Sequence, residues 1–416
     1  MSSYIPDDKI AEIKESCNIV QFITEYIPLK KAGANYKGAC PFHSEEEPSF
    51  IVSEAKQIFH CFGCGAGGNI FTFLMKFEHL SFPEAAKKLA QKCGVELPQR
   101  KPTLHQKKVM GEKEKLFKIN EIASEYYSSL LTQSKAGESA LSHLKNRGIS
   151  QETITNYKLG FASHSWDGLL KFLKKKRAPL ELAQKLGLLR ANKKGGLYDC
   201  FRDRIIFPIT NYNQRVIGFG GRTIVEDSAK YINSSDSIIY NKSNSLYGLN
   251  LATPFIRKEE FVILVEGNFD LLSLHQYGFK NTVAVLGTAL TDGQIKLLKR
   301  FTHSATIAFD TDDSGMKAAI KSLPLFLDNK VAPKIVVLSP GTDPDTFIQK
   351  EREKGFREKV QQAVPLMEFF INKNVSQNDT STISGQLSII KTVSPLLSKL
   401  GDATERNLYI QKLSQQ

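Results

Sequence analysis

Between residues 259 and 345 short continuous apolar runs alternate with amphipathic segments: FVILVEG, NFDLLSLHQYGF, NTVAVLG, ALTDGQIKLLKR, ATIAFD, DSGMKAAIKSLPLFL and PKIVVLS. Apolar runs of this length, bounded by turn residues, are strands buried on both faces, and such strands need helices to cover them. The repeated order strand, helix, strand therefore predicts a parallel sheet with a helical layer on each side. In sheets of this kind ligands sit just beyond the carboxyl ends of the strands.

That rule gives the acidic residues a meaning. Glu266 ends the first strand, Asp310 and Asp312 end the third in FDTDDSG, and Asp343 and Asp345 follow the fourth in GTDPD. Carboxylates gathered at one rim repel one another, which raises pKa values and costs stability. Divalent cations remove that cost, and a set of oxygen ligands suits Mg2+ or Mn2+. Gly267, Gly287, Gly315 and Gly341 leave room for phosphate at the same rim. A lone acid after a strand is usually a helix cap, and Asp270 and Asp292 are read in that ordinary way.

A second cluster lies nearer the N-terminus. Cys40-x2-His43 and Cys61-x2-Cys64 are two short ligand pairs separated by 17 residues, the spacing of a zinc ribbon whose knuckles are joined by a hairpin. SFIVS and QIFHCF read as the strands of that hairpin. With every position filled by protein, the site is expected to be structural and not catalytic. Cys17, Cys93 and Cys200 stand alone and are expected to be buried apolar residues or free thiols. Helices are predicted on both sides of the ribbon. Phe50, Phe59, Phe62, Phe71 and Phe73, near Lys30, Lys31, Lys37 and Lys56, raise the possibility of a stacking face for single-stranded nucleic acid, although most of these rings are expected in the core, with one or two at the surface.

A chain of 416 residues exceeds what one core usually supports. Its longest apolar runs fall far short of the roughly 20 residues that span a bilayer, and an acidic start lacks the features of a secretory signal, so a cytoplasmic protein is expected. A net charge of +13 fits a polyanionic partner. Pro98 to Lys118 reads as a linker, followed by helices to about residue 190, two of them broken at Gly148 with Ser150 as a cap. From Tyr198 the text alternates as a β-hairpin around Asn211 to Gln214, carrying Arg202, Arg204, Arg215 and Arg222. Lys230 and Lys242 follow in a tyrosine-rich polar stretch. With Arg222 they are candidates to contact triphosphate or template, the alternative being a surface loop with incidental lysines.

In this order CPFH…HCFGC, FRDRIIFPI…VIGFGGR, KYINS, EGNFD, DTDDSG and DPD resemble bacterial DNA primases of the DnaG type, over nearly the whole chain. The resemblance implies a multidomain α+β protein: a zinc-binding domain over 1–100, a linker over 101–118, a basic subdomain of mixed α/β structure over 119–255, a Toprim parallel sheet over 256–350 and C-terminal helices over 351–416. It implies synthesis of short RNA primers on single-stranded DNA from ribonucleoside triphosphates. Zinc would be held by Cys40, His43, Cys61 and Cys64, magnesium by Glu266, Asp310 and Asp312, and a second magnesium by Asp343 and Asp345. Arg202, Arg204, Arg222, Lys230 and Lys242 would bind template or nucleotide. Asn268 and Phe269 depart from the family, which generally has an aromatic and then Met there. ATERNLYIQKLSQQ reads as a helix that the family continues into a helicase-binding domain, so that domain is expected to be absent, from truncation or as a natural short form, and helicase docking is not carried over.

Two other classes compete. A strand-cleaving Toprim enzyme needs a tyrosine nucleophile, and none of the 13 tyrosines stands in a recognisable context. A binding module without catalysis leaves the acids unexplained. A fused helicase is excluded within this chain, which has no G-x4-G-K-[ST] loop.

Overall fold

The computed structural model describes residues 5–78, 80, 82–97, 104–225, 229–287 and 289–415. The chain divides into two compact units, Met1–Leu104 and His105–Gln416.

The first unit is built on an antiparallel sheet in chain order, Lys30–Ala32, Asn35–Gly38, Phe50–Ser53, Ile58–Cys61 and Gly67–Gly68. The central hairpin pairs Phe50 with Cys61 and Val52 with Phe59, so alternate residues face one side. Helices Asp7–Ser16, Ile19–Thr24, Ile70–Phe77 and Phe82–Lys92 flank the sheet. Asn18 and Asn69 cap two of these, each accepting two backbone N–H groups. The rings of Phe50, Phe59 and Phe73 interlock with centroids 5.2–6.2 Å apart. Phe71 is buried with them, and Phe62 alone of the five is at the surface, 72% exposed. Cys17 and Cys93, expected to be unpaired, form a disulfide with Cα atoms 5.8 Å apart. A separation of 76 residues gave no local signal of that pairing; the helices Asp7–Ser16 and Phe82–Lys92 bring the two ends together.

The second unit opens with the helix Leu104–Gln133. Of the expected linker, residues 98–103 lie outside the described residues, while 104–118 are helical. The correction has a simple cause: Leu116, Ile119, Ala123, Tyr127 and Leu131 are buried at spacings of three and four, while Lys108, Lys115 and Lys118 lie on exposed positions of the same helix. Glu138–Asn146 and Gln151–Asn156 are separate helices; Gly148 has φ +73° between them and Ser150 accepts from the Thr153 amide.

An antiparallel sheet follows, ordered Tyr231–Asn233, Val216–Thr223, Arg204–Thr210 and Gly160–Ala162. Its two long strands are the basic hairpin. The next sheet has a parallel core ordered Thr282–Val285, Val262–Val265, Ser304–Ile307 and Ala332–Ile335, with Leu246–Tyr247 and Val364–Pro365 antiparallel at its edges. Val262 and Leu264 join one hydrophobic cluster while Ile263 and Val265 join the other, so the period of two buries both faces. Helices Asn268–Gln276, Asp292–Leu298 and Asp313–Asp328 make the crossovers. The boundaries expected at 255 and 350 fall inside helices, Leu249–Glu259 and Pro344–Gln361. Helices Leu366–Ser376, Ile383–Leu397 and Ala403–Ser414 complete the chain. Among the described residues no helix is long and apolar enough to cross a membrane.

Candidate metal centres and nucleic-acid interface

In the zinc ribbon, ligand atoms of Cys40, His43, Cys61 and Cys64 all lie within 4.8 Å of one another. The Cys40 and Cys64 sulfurs are 3.8 Å apart, and His43 Nδ1 is 3.8 Å from the Cys61 sulfur. A tetrahedral ion with sulfur at about 2.3 Å gives sulfur–sulfur edges of roughly 3.8 Å, so the four residues fit zinc. Burial pushes the Cys40 thiol up to about 12. Burial also raises Cys61, but its contacts with the Ser49 oxygen, the Cys64 amide, the Cys40 sulfur and the Gly63 amide outweigh it and bring that thiol down to about 6. Zinc takes its cysteine ligands as thiolates, so a bound cation offsets the cost of ionising Cys40 beside Cys61. A side chain at Gly63 would meet His43 Nε2 at 2.5 Å, which explains glycine in the second knuckle.

The parallel sheet positions the acids. Its first strand lies between the second and third, so the chain leaves that strand to one side and later returns on the other. The crevice at that reversal, beyond the carboxyl ends of Val262–Val265 and Ser304–Ile307, is where doubly wound sheets bind ligands. Glu266 follows one of these strands, and Asp310 and Asp312 follow the other. Glu266 Oε1 is buried with no hydrogen-bond partner. Burial, then the charges of Asp310 and Asp312, raise the Glu266 carboxyl to about 7. Asp310 is raised by burial and by Asp343 and Asp312, while Lys230 pulls it down. A Cβ at Gly315 would collide with the Asp310 carbonyl and meet Glu266 Oε1 at 2.9 Å, so glycine keeps this rim open. An orphaned buried carboxylate oxygen, on a side chain whose pKa Asp310 and Asp312 raise, suits a hard divalent cation.

The other predicted residues divide. Asp312 and Asp343 each cap a helix, accepting from Gly315 and Thr346 at 2.7 Å. Asp345 turns into the protein: one oxygen accepts from Ser273 and Gln349, both at 2.5 Å, and the other from Arg147 at 3.1 Å. Its expected role as a magnesium ligand does not fit that arrangement, because both oxygens are engaged. Asp270, read as an ordinary cap, does accept from the Gly267 amide. It also accepts from the Asp345 amide at 3.2 Å, and burial followed by the charges of Asp310, Asp343 and Asp345 raises its carboxyl well above the usual range. Asp292 is a surface residue paired with Lys296 and Asn329.

Among the cations, Arg204 is 7% exposed and donates to the Gly221 and Ala229 carbonyls. It holds the hairpin and is not presented to a ligand, contrary to the sequence expectation. Arg222 lies over the Phe269 ring at 4.7 Å, with Arg147 at 4.6 Å from the same ring. Phe269, at the family departure, thereby lies against two guanidinium groups. Lys230 acts on Asp310, and the Lys242 side chain runs beside Gly287 at the end of the second parallel strand. Arg202 stacks on the Trp166 ring at 4.0 Å, and Trp166 lies 5.5 Å from Tyr198. Trp166 is 58% exposed. Sequence reasoning passed over this platform, although the chain's single tryptophan in the polar run SHSWDG was a visible signal.

Family models match four segments: a CHC2 zinc finger over residues 5–105, the N-terminal domain of the DNA primase catalytic core over 126–253, a Toprim-like domain over 263–348, and the DnaB-helicase binding domain of primase over 367–416. The last match corrects the expectation that a helicase-docking domain is absent. The terminal helices carry only generic amphipathic periodicity, so nothing local distinguished that domain from the end of the polymerase core. The DNA primase of Clostridium acetobutylicum is 39% identical over 99% of this chain and 68% of its own length. The Aquifex aeolicus primase zinc-binding and RNA polymerase domains match with a TM-score of 0.64 and 36% identity, covering 97% of this chain and 96% of that one. A DnaG primase catalytic domain bound to single-stranded DNA matches with a TM-score of 0.67 and 34% identity over 74% of this chain and all of that one, 100%. With a zinc finger, a primase core and a Toprim-like domain in this order, the chain belongs to the bacterial DnaG-type DNA primases, enzymes that synthesise RNA primers.

Proposed function

We propose that Glu266, Asp310 and Asp312 hold the catalytic Mg2+ or Mn2+, with Asp343 supporting a second ion. The observation that carries this reading is the buried, unpartnered oxygen of Glu266 beside Asp310 and Asp312 at the reversal of strand order. Bound there, the cations supply Lewis-acid activation of a primer 3′-hydroxyl and neutralise charge on the nucleotide phosphates. The protein supplies geometry and charge. Lys230, Lys242 and Arg222 neutralise the triphosphate or the template, and Gly315 keeps the strand ends accessible to phosphate. Asp270, whose carboxyl is raised by burial, ties the helix after Glu266 to the amide of Asp345. Asp345 anchors that segment to Ser273, Gln349 and Arg147, which orients Asp343.

Trp166, Tyr198 and Arg202 form the stacking platform for single-stranded template, in line with the sequence-tolerant attraction of bases to aromatic faces. Cys40, His43, Cys61 and Cys64 hold one structural zinc, in a unit that reads the start site on the template. Primer synthesis takes place in the bacterial cytoplasm at the replication fork.

The test is template-directed RNA synthesis from ribonucleotides and Mg2+ on single-stranded DNA. Asp310→Ala is expected to abolish primers while DNA binding and zinc content persist. Undiminished synthesis removes Asp310 from the metal site. Nicking of supercoiled DNA in place of primer synthesis favours the strand-cleaving alternative.

A further inference from the structure

Glu45 and Ser49 lie between the two knuckles of the ribbon and are not ligands themselves. Glu45 Oε1 accepts from the Cys40 amide at 2.7 Å and the Ser49 amide at 2.9 Å. Its other oxygen accepts from the Ser49 hydroxyl and lies 3.2 Å from His43 Nε2. The Ser49 oxygen in turn accepts from the Gly63 amide at 3.1 Å and lies 3.2 Å from the Cys61 sulfur. One carboxylate and one hydroxyl thus reach Cys40 and His43 of the first knuckle and Cys61 and Gly63 of the second.

We infer that Glu45 and Ser49 are positioning residues of the zinc site: Glu45 fixes the ring and tautomer of His43, and Ser49, its hydroxyl proton held by Glu45, accepts from the Gly63 amide and so braces the second knuckle against the Cys61 sulfur. The inference rests on the zinc-ligand reading above. His43 turns Nδ1 toward the ligand sulfurs, so Nε2 carries the proton and donates to the Glu45 carboxylate. A metal-bound imidazole held this way keeps its orientation and is a better donor to the metal. Glutamine cannot replace Glu45. Its oxygen satisfies either the two amides or the His43 and Ser49 donors, and its NH2 group then opposes donors on the other side. Gly63 completes the arrangement, since a side chain there would also meet the Ser49 oxygen at 2.9 Å.

The experiment measures zinc transfer from the full chain to a chromophoric chelator, together with the d–d spectrum of the Co2+-substituted protein. Glu45→Gln and Ser49→Ala are expected to release zinc about 10–100-fold faster than wild type and to alter the cobalt spectrum, while Ser49→Thr, which keeps the hydroxyl, restores both. Wild-type zinc retention by Glu45→Gln and Ser49→Ala overturns the inference. So does loss by Ser49→Thr as fast as by Ser49→Ala, because packing and not the hydroxyl would then be responsible. Cys64→Ser is the control for the ligand reading: if it also retains zinc, the ligand set fails, whereas release by Cys64→Ser with retention by Glu45→Gln removes only the positioning role.

Discussion

Replacing Glu266 by glutamine tests whether the enzyme keeps a destabilising carboxylate for the sake of its metal. Burial and two neighbouring acids raise this carboxyl from an ordinary 4.5 to about 7. The folded chain therefore binds the proton more tightly than the unfolded chain, and wild-type stability falls as pH rises from about 4.5 through about 7. At about 1.36 kcal/mol for each tenfold change in proton affinity, the full cost is roughly 3.4 kcal/mol. The side chain is partly exposed, and solvent screening reduces this to about 1.5 kcal/mol. Without divalent ions at pH 8, Glu266→Gln is therefore expected to melt about 2–4 °C above wild type, while at pH 5 the difference disappears. Added Mg2+ is expected to stabilise wild type and not the variant, and primer synthesis is lost in the variant. Differential scanning calorimetry at the two pH values, with and without Mg2+, measures all of this. A variant less stable than wild type at pH 8, or stabilised equally by Mg2+, refutes the reasoning.

Two further perturbations separate roles that look alike in sequence. Asp345→Asn weakens contacts with Ser273, Gln349 and Arg147 and is expected to lower stability by about 2 kcal/mol in urea unfolding with Mg2+ affinity little changed. Asp343→Asn keeps a good helix cap and is expected to show the reverse, normal stability with weakened metal binding by calorimetry. Trp166→Ala removes a stacking surface and is expected to weaken single-stranded DNA binding roughly 5- to 150-fold in fluorescence anisotropy, raising the KM for template more than it lowers kcat.

The sequence was informative wherever a physical requirement repeats along the chain. The parallel strands and their crossover helices were legible because strands buried on both faces are continuously apolar, and Glu266, Asp310 and Asp312 followed from where such strands end. The ribbon was legible because its ligand pairs are short and local. What was missed depends on contacts between distant segments. Asp345 sits two residues after Asp343, yet its oxygens are taken by Ser273, Gln349 and Arg147. Arg204 belongs to a visibly basic hairpin, but its guanidinium turns inward to the Gly221 and Ala229 carbonyls. Cys17 and Cys93 meet only because helices fold back, and the exposure of Trp166 beside Arg202 requires two loops to converge. Lysine-rich text hid a helix from residue 104 onward, since solvated positions of a helix and a polar linker share a composition.

The most direct measurement is anomalous diffraction from crystals soaked in Mn2+ with a nucleotide triphosphate. Manganese is expected within carboxylate-ligand distance of Glu266, Asp310 and Asp312, with Asp345 still bonded to Arg147 and the ribbon cysteines holding zinc. Manganese bound elsewhere on the chain, with Glu266 Oε1 left unliganded, contradicts the assignment.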